Sequence, residues 1–285
     1  MAGVASGRYF SSMGDFTNFA DFVLANEIGL RLGGFLGVLT VMALWELCAP
    51  RRRLSASRWQ RWSSNLGFVA IDALMLRLLL PIAAVGAAVL AAEQEWGLFN
   101  ALAVPIWIAV LVSILVLDLA IYAQHVMFHK VPFLWRLHRV HHTDVDLDAT
   151  SGVRFHPFEI ALSLVFKIAI IVVLGAPAVA IVVFEVLLNA TAMFNHANVR
   201  LPRAADRILR AAIVTPDMHR VHHSVHRDET DSNYGFNLSV WDRLFRTYRD
   251  QPRDGHAGMT IGLNMFRSTP ERWLPRLLVQ PFVRD

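Results

Sequence analysis

Apolar and polar positions in this chain separate into long blocks. Five apolar runs, at about 28–49, 66–92, 98–123, 158–174 and 177–194, are divided by polar segments. They match the roughly 17 to 25 residues that a helix needs to cross the hydrocarbon core of a bilayer. The sequence EQEWG alone separates the second run from the third, and the fourth and fifth meet at Gly175, Ala176 and Pro177. So short a turn forces those two helices into an antiparallel hairpin. The first run is too long for a signal peptide and ends in Arg51, Arg52 and Arg53 instead of a small-residue cleavage site. Ahead of it, Phe16, Phe19, Ala20 and Val23 fall at helical spacing beside Asp15, Asn18 and Asp21. That pattern suits a short interfacial helix or a frayed polar leader.

Charge then orients the runs. The loop at 50–65 holds five arginines and no acid, whereas 93–97 holds Glu93 and Glu95 and no base. Basic loops stay in the cytoplasm, so the third run returns there and the hairpin leaves from and returns to the same side. All twelve histidines then fall on the cytoplasmic face, and none lies inside a span. The expected fold is an all-α integral membrane protein, a helical transmembrane bundle with a cytoplasmic histidine-rich helical cap. Residues 1–27 read as a leader and 28–285 as a single membrane-embedded domain, with no internal repeat.

Composition sharpens this picture. The chain is 55% hydrophobic and 18% charged, against about 25% charged in soluble domains. Its net charge of +4 is spread among apolar runs without an aromatic-basic groove, which argues against a nucleic-acid partner. Cys48 is the sole cysteine, so no internal disulfide and no cysteine-ligated zinc or iron–sulfur site can form. Any metal must rely on His, Asp or Glu.

The histidines come in three groups. HVMFH puts His125 and His129 at i and i+4, at the cytoplasmic end of the third span. Pro132 favours a fresh helix carrying His138, His141 and His142 on one face. Downstream, Thr215 suits a helix N-cap, Pro216 the first helical position and Asp217 the positive helix end. That helix would carry His219, His222 and His223. Neutral imidazole is the commonest ligand for divalent transition metals. Eight clustered histidines exceed the four ligands of a structural zinc. Two six-coordinate metals could use them all and still keep positions open.

HVMFH, HRVHH and the second HRVHH together resemble the eight-histidine signature of the membrane di-iron fatty acid hydroxylase and sterol desaturase superfamily. DLAIYAQH, RFHPFE, NHANVRLP, TPDMHRVHHS and NYGFNLSVWDRLFRTY resemble family segments in family order, so the likeness runs from about 110 to 265. One departure is Arg246, where the family usually has glycine, which puts a local turn in question. The resemblance implies that His125, His129, His138, His141, His142, His219, His222 and His223 are iron ligands. His156 and His196 match further family histidines, as ligands or as neighbours of ligands; His156 also precedes Pro157 and could cap the fourth span. The implied cofactors are two Fe, cycling between Fe2+ and Fe3+, with O2 as co-substrate. The implied activity is an oxidoreductase, a monooxygenase type, hydroxylating or desaturating a C–H bond of a fatty acyl or sterol-like lipid. The chain has no glycine-rich dinucleotide fingerprint, cysteine cluster or cytochrome domain. A separate electron donor, a ferredoxin or cytochrome with its reductase, is therefore expected.

Several charged residues need their own account. Two ferrous ions on neutral imidazoles would leave about four positive charges near lipid, which calls for compensation. Asp118, one heptad before His125, could orient a ligand imidazole or pair with Arg77. Asp144, Asp146 and Asp148 read as a solvated loop, and His226 and His256 as surface residues. Lys167 and Glu185 each lie nine residues from Ala176, so the hairpin should pair them. That pair would serve packing or line a polar path. Among rival classes, haem electron transfer would need histidines within spans, and a metal transporter would need ligands through the membrane. A zinc-dependent integral membrane hydrolase is the strongest alternative, but the chain has no His-Glu-x-x-His helix.

Overall fold

Long apolar runs become helices here, although the helices do not always start where the apolar residues do. The computed structural model describes residues 16–80 and 82–284. In order they form α1 (Phe16–Ala25), α2 (Glu27–Cys48), α3 (Arg58–Leu79), α4 (Ala83–Glu93), α5 (Leu98–Ala101) and α6 (Ile106–Lys130). Then come α7 (Pro132–His142), a 3-10 turn at Ala149–Val153, α8 (Pro157–Leu174), α9 (Ala178–His196), α10 (Arg203–Leu209) and α11 (Pro216–His222). Short helices follow, among them Leu274–Val279. No extended sheet occurs among the described residues, only isolated bridges. Five stretches are long and apolar enough to cross a membrane: α2, the stretch 58–101, α6, α8 and α9.

Three expected boundaries move. Helix α3 begins at Arg58, eight residues before the second apolar run, because its polar first turns are buried against the loop that follows α7. Gln60, Arg61, Ser64 and Asn65 are all buried there. The same run ends early at Leu79, and α4 restarts at Ala83. Leu80 precedes a proline, which disfavours the helical conformation at that residue. The third run also starts late, at Ile106, after the short α5 and the proline N-cap Pro105.

The central core joins α4, α6, α8 and α9 through Ala84, Ala88, Leu117, Ile121, Leu164 and Phe184. The α8–α9 hairpin closes on Gly175, in the left-handed conformation with φ of 67° and ψ of 43°. A Cβ on Gly97 would sit 2.1 Å from the Gly175 nitrogen. The 93–97 loop and the hairpin turn therefore share one end of the bundle. Helix α1 lies near that end too, with Val23 packed on Val179 and Val182. This is the helix anticipated from Phe16 to Val23; Asp15 lies outside the described residues. The histidine helices α7 and α11 sit at the opposite end, where α6 and α9 finish.

Candidate metal centre

Four helix ends deliver the histidines. Helix α6 continues to Lys130 and carries His125 and His129 in its last turns. Helix α7 starts at Pro132, which needs no N–H partner in a first turn, and carries His138, His141 and His142. Helix α11 starts at Pro216 and carries His219 and His222, with His223 just beyond it. Thr215 stands at its N-cap position, but the hydroxyl bonds Asp206 at 2.7 Å instead of capping the helix. His196 ends α9.

These residues assemble into two adjoining groups. One contains His125, His129, His138, His142 and His222, the other His141, His196, His219 and His223. Within each group the ligand-capable atoms lie within 4.8 Å of one another, and every residue is buried. Each triplet is divided between the groups. On α7, His138 and His142 face one group while His141 faces the other; on α11, His219 and His223 go together and His222 crosses over.

His156 joins neither group. Its Nδ1 accepts from the Phe158 amide at 3.2 Å, capping α8, and its Nε2 lies 3.1 Å from the Leu278 carbonyl. His226 is partly exposed and pairs with Asp254 at 2.7 Å. His256 departs from the surface expectation: it is buried, 3.8 Å from Asp217. Burial holds it down to about 4.

Proton placement tests whether the groups fit a metal. His125 Nδ1 lies 2.7 Å from the Tyr234 carbonyl, and His138 Nδ1 lies 2.6 Å from Glu159 Oε1. His141 Nδ1 faces the Arg154 carbonyl at 3.2 Å, and His196 Nδ1 the Ala192 carbonyl at 2.7 Å. The three backbone carbonyls can only accept, so they fix the proton on Nδ1 of His125, His141 and His196 and leave a lone pair on each Nε2. His125 Nε2 lies 3.1 Å from His138 Nε2, and His141 Nε2 and His196 Nε2 also stand 3.1 Å apart, both with the proton committed to Nδ1. Two lone pairs facing each other without a proton between them repel, and a shared cation removes the conflict. His196 Nε2 also lies 3.1 Å from His219 Nε2 and 3.2 Å from His223 Nε2. Both nitrogens of His129, and Nε2 of His142 and of His222, are buried without a hydrogen-bond partner. The donor set therefore fits two metal ions.

Electrostatics agree. Burial, reinforced by neighbouring imidazoles, holds His141, His142, His219, His222 and His223 well below the ordinary 6.5. Burial alone takes His138 down to about 3. All six are neutral, the state a metal requires.

The acids are placed otherwise than their sequence positions suggested. Asp118 reaches neither an imidazole nor Arg77. Its Oδ2 accepts from the Trp241 indole at 2.8 Å and the Leu238 amide at 3.2 Å, and so braces the 233–247 segment. Asp144, Asp146 and Asp148 form no solvated loop: all three are buried. The Arg61 guanidinium bonds both Asp144 oxygens, at 2.7 and 2.8 Å, and also bonds Asp148. Against the cost of burial, Arg61 and Arg154 keep the Asp144 carboxyl below the usual carboxylate range. Asp146 takes the Ser55 and Ala56 amides, both at 2.8 Å. This network ties the chain after His142 to α3.

Glu159, whose Oε1 holds His138, was not singled out from the sequence. Its signal was its place in the first turn after His156 and Pro157, one turn above the membrane end of α8. Arg61 was also missed, hidden in an arginine count used only for topology. The turn that Arg246 put in question does form: Arg246 has φ of 61°, the left-handed region that glycine occupies freely. Lys167 and Glu185 pair at 2.5 Å as expected, and Arg31 joins the same carboxylate at 2.5 Å.

Comparison with known proteins points the same way. The fatty acid hydroxylase family profile matches residues 110–247. The ornithine lipid hydroxylase OlsE of Rhizobium tropici is 30% identical over 161 residues, covering 55% of this chain and 46% of that protein. Human alkylglycerol monooxygenase is 27% identical over 150 residues, 52% of this chain and 32% of its own length. Rat cholesterol 25-hydroxylase is 26% identical over 144 residues, 50% of this chain and 47% of its own length. The chain thus spans less than half the length of each. No solved structure matches it. A zinc-dependent hydrolase finds no support among these relatives.

Proposed function

We propose that this chain, whose residues 110–247 match the fatty acid hydroxylase family, is a membrane di-iron monooxygenase that hydroxylates a lipid C–H bond. The observation that carries the reading is the facing Nε2 contact at 3.1 Å between His141 and His196, whose Nδ1 protons are both committed to backbone carbonyls. The names of the relatives favour hydroxylation over desaturation and a lipid as substrate. The bulk of the substrate would lie in the bilayer, with 28–285 acting as one membrane-embedded domain and the histidine end facing the cytoplasm.

Iron bound in the two groups would supply O2 activation and oxidising power sufficient for an unactivated C–H bond. This chain's residues supply the rest. Tyr234, Ser232, Ala192 and Arg154 use their carbonyls to hold four imidazoles in the tautomer that presents Nε2, and Glu159 anchors His138 at Nδ1. Phe155 stacks on His141 at 4.6 Å and lies 6.2 Å from His138. Together with Phe236, 5.0 Å from His125, it separates the histidines from the apolar core of the spans. Those rings keep bulk water away from the side on which a hydrocarbon chain would approach. The electrons would come from a ferredoxin or cytochrome with its reductase.

The test is to supply iron-loaded protein in lipid bilayers with 18O2 and a ferredoxin–reductase system, and to analyse the lipids by mass spectrometry. One 18O atom in a lipid alcohol, lost in His141→Ala, is the expected result. Hydrolysed lipid without 18O from O2 would refute the proposal.

A further inference from the structure

The two groups share part of their cover: Phe155 reaches His138 and His141, and Phe236 reaches His125 and His219. Phe155 and Phe236 face the core of the spans. On the other side stands Trp135, a partly exposed ring of α7. Its centroid is 5.0 Å from that of His129 and 5.3 Å from that of His142, both in the five-histidine group. Of the other aromatic neighbours of that group, Phe128, Tyr234 and Phe236 are buried, and Phe155, 6.2 Å from His138, packs on the core of the spans. Trp135 is thus the partly exposed ring that joins these imidazoles to the polar residues around Arg227.

Cations surround it. The Arg227 guanidinium lies 4.9 Å over the indole ring and donates to the His129 carbonyl at 3.1 Å. Lys130 ends the helix that carries His129 and is joined to Arg227 through Asp231. Lys130 and Arg227 are 56% and 57% exposed, against 18% for Asp231, so the two cations dominate the outward face. Arg249 and Arg253 both pair with the exposed Asp228 and so offset its charge.

We infer that Trp135, framed by Lys130 and Arg227, is the port through which a small acidic one-electron carrier protein delivers electrons to the five-histidine group. The inference rests on the di-iron reading above. Hydroxylation consumes one O2, two electrons and two protons per C–H bond, and places one oxygen atom in the alcohol and the other in water. At each encounter the carrier is oxidised by one electron and one ferric ion is reduced to ferrous. Trp135 serves as the conducting contact and is not itself oxidised. The cations steer the acidic carrier and make its association sensitive to salt.

Stopped-flow reduction of the ferric protein tests this, with an acidic [2Fe–2S] ferredoxin as one reductant and dithionite as the other. Trp135→Leu should slow reduction by ferredoxin about tenfold or more, while iron content and the dithionite rate stay at wild-type values. Trp135→Phe should restore part of the rate. In metal-free protein, Lys130→Glu should weaken ferredoxin binding about tenfold at low salt and flatten its salt dependence. Reduction of Trp135→Leu by ferredoxin at the wild-type rate, or unchanged binding by Lys130→Glu, would overturn the inference. Should Trp135→Leu lose its iron, Trp135→Phe and the metal-free binding arm decide. A wild-type protein that takes up no iron would instead overturn the functional reading itself.

Discussion

His196 and His156 show how little a histidine's neighbours in sequence say about its role. Both end or begin a membrane-length helix, yet His196 Nε2 meets three other Nε2 atoms while His156 closes its own helix cap. His196→Ala should therefore cost about half of the bound metal. His156→Ala should keep the metal and lose about 1 kcal/mol, as for other helix caps; metal analysis beside thermal unfolding distinguishes them. Arg246 makes a second prediction. Its left-handed backbone carries a Cβ penalty of roughly 1 kcal/mol, so Arg246→Gly should raise the unfolding midpoint by a few degrees. A fall in the midpoint would mean that the arginine side chain outweighs the strain. The imidazoles also set a pH dependence. In the metal-free chain they stay neutral when folded but titrate near 6.5 when unfolded, so the unfolded state takes up more protons as pH falls. Stability is thus full above about pH 6.5 and drops below it by up to about 1.4 kcal/mol per pH unit for each histidine. For His138 the loss continues to about pH 3. Unfolding midpoints unchanged between pH 8 and 5.5 would contradict this neutral cluster.

At the scale of elements, the α8–α9 hairpin carries its own test. Glu185 holds both Lys167 and Arg31, whereas Lys167 shares its acid with a second cation. Glu185→Gln leaves Lys167 without its partner, while Arg31 keeps Glu27 at 2.9 Å, and should destabilise by about 1 to 3 kcal/mol, between an exposed and a fully buried pair. Lys167→Met should cost clearly less, since Arg31 keeps Glu185 paired; equal losses would show that Arg31 contributes nothing. Arg31 also illustrates what the sequence conceals. Its partner lies on another helix, and periodicity reports which face a residue occupies, not which helix that face meets. The spans, the hairpin and the proline starts of α7 and α11 were legible because length, Gly-Ala-Pro and His-spacing patterns are local. The polar start of α3 was not, because Arg61 and Asn65 look like part of a solvated basic loop until the 144–151 segment is folded over them. The division of each triplet between two groups was hidden for the same reason: on α7 alone, His138, His141 and His142 share a face, and only α6, α9 and α11 separate them.

The whole molecule places its loops and its histidines at opposite ends. Gly97 against Gly175 fixes the EQEWG loop beside the hairpin turn. The nine clustered histidines lie at the far end, under the polar cap built by Arg61 and the acids it holds. This polarity suits an enzyme that draws a hydrocarbon substrate from the bilayer and receives electrons from a carrier on the aqueous side. The most direct test of that account is the metal content and Mössbauer spectrum of 57Fe-loaded protein purified anaerobically, for wild type, His141→Ala and His222→Ala. The account predicts about two irons per chain, both non-haem and nitrogen-ligated, with loss in each variant. Zinc that iron does not displace, or no bound metal at all, would contradict it.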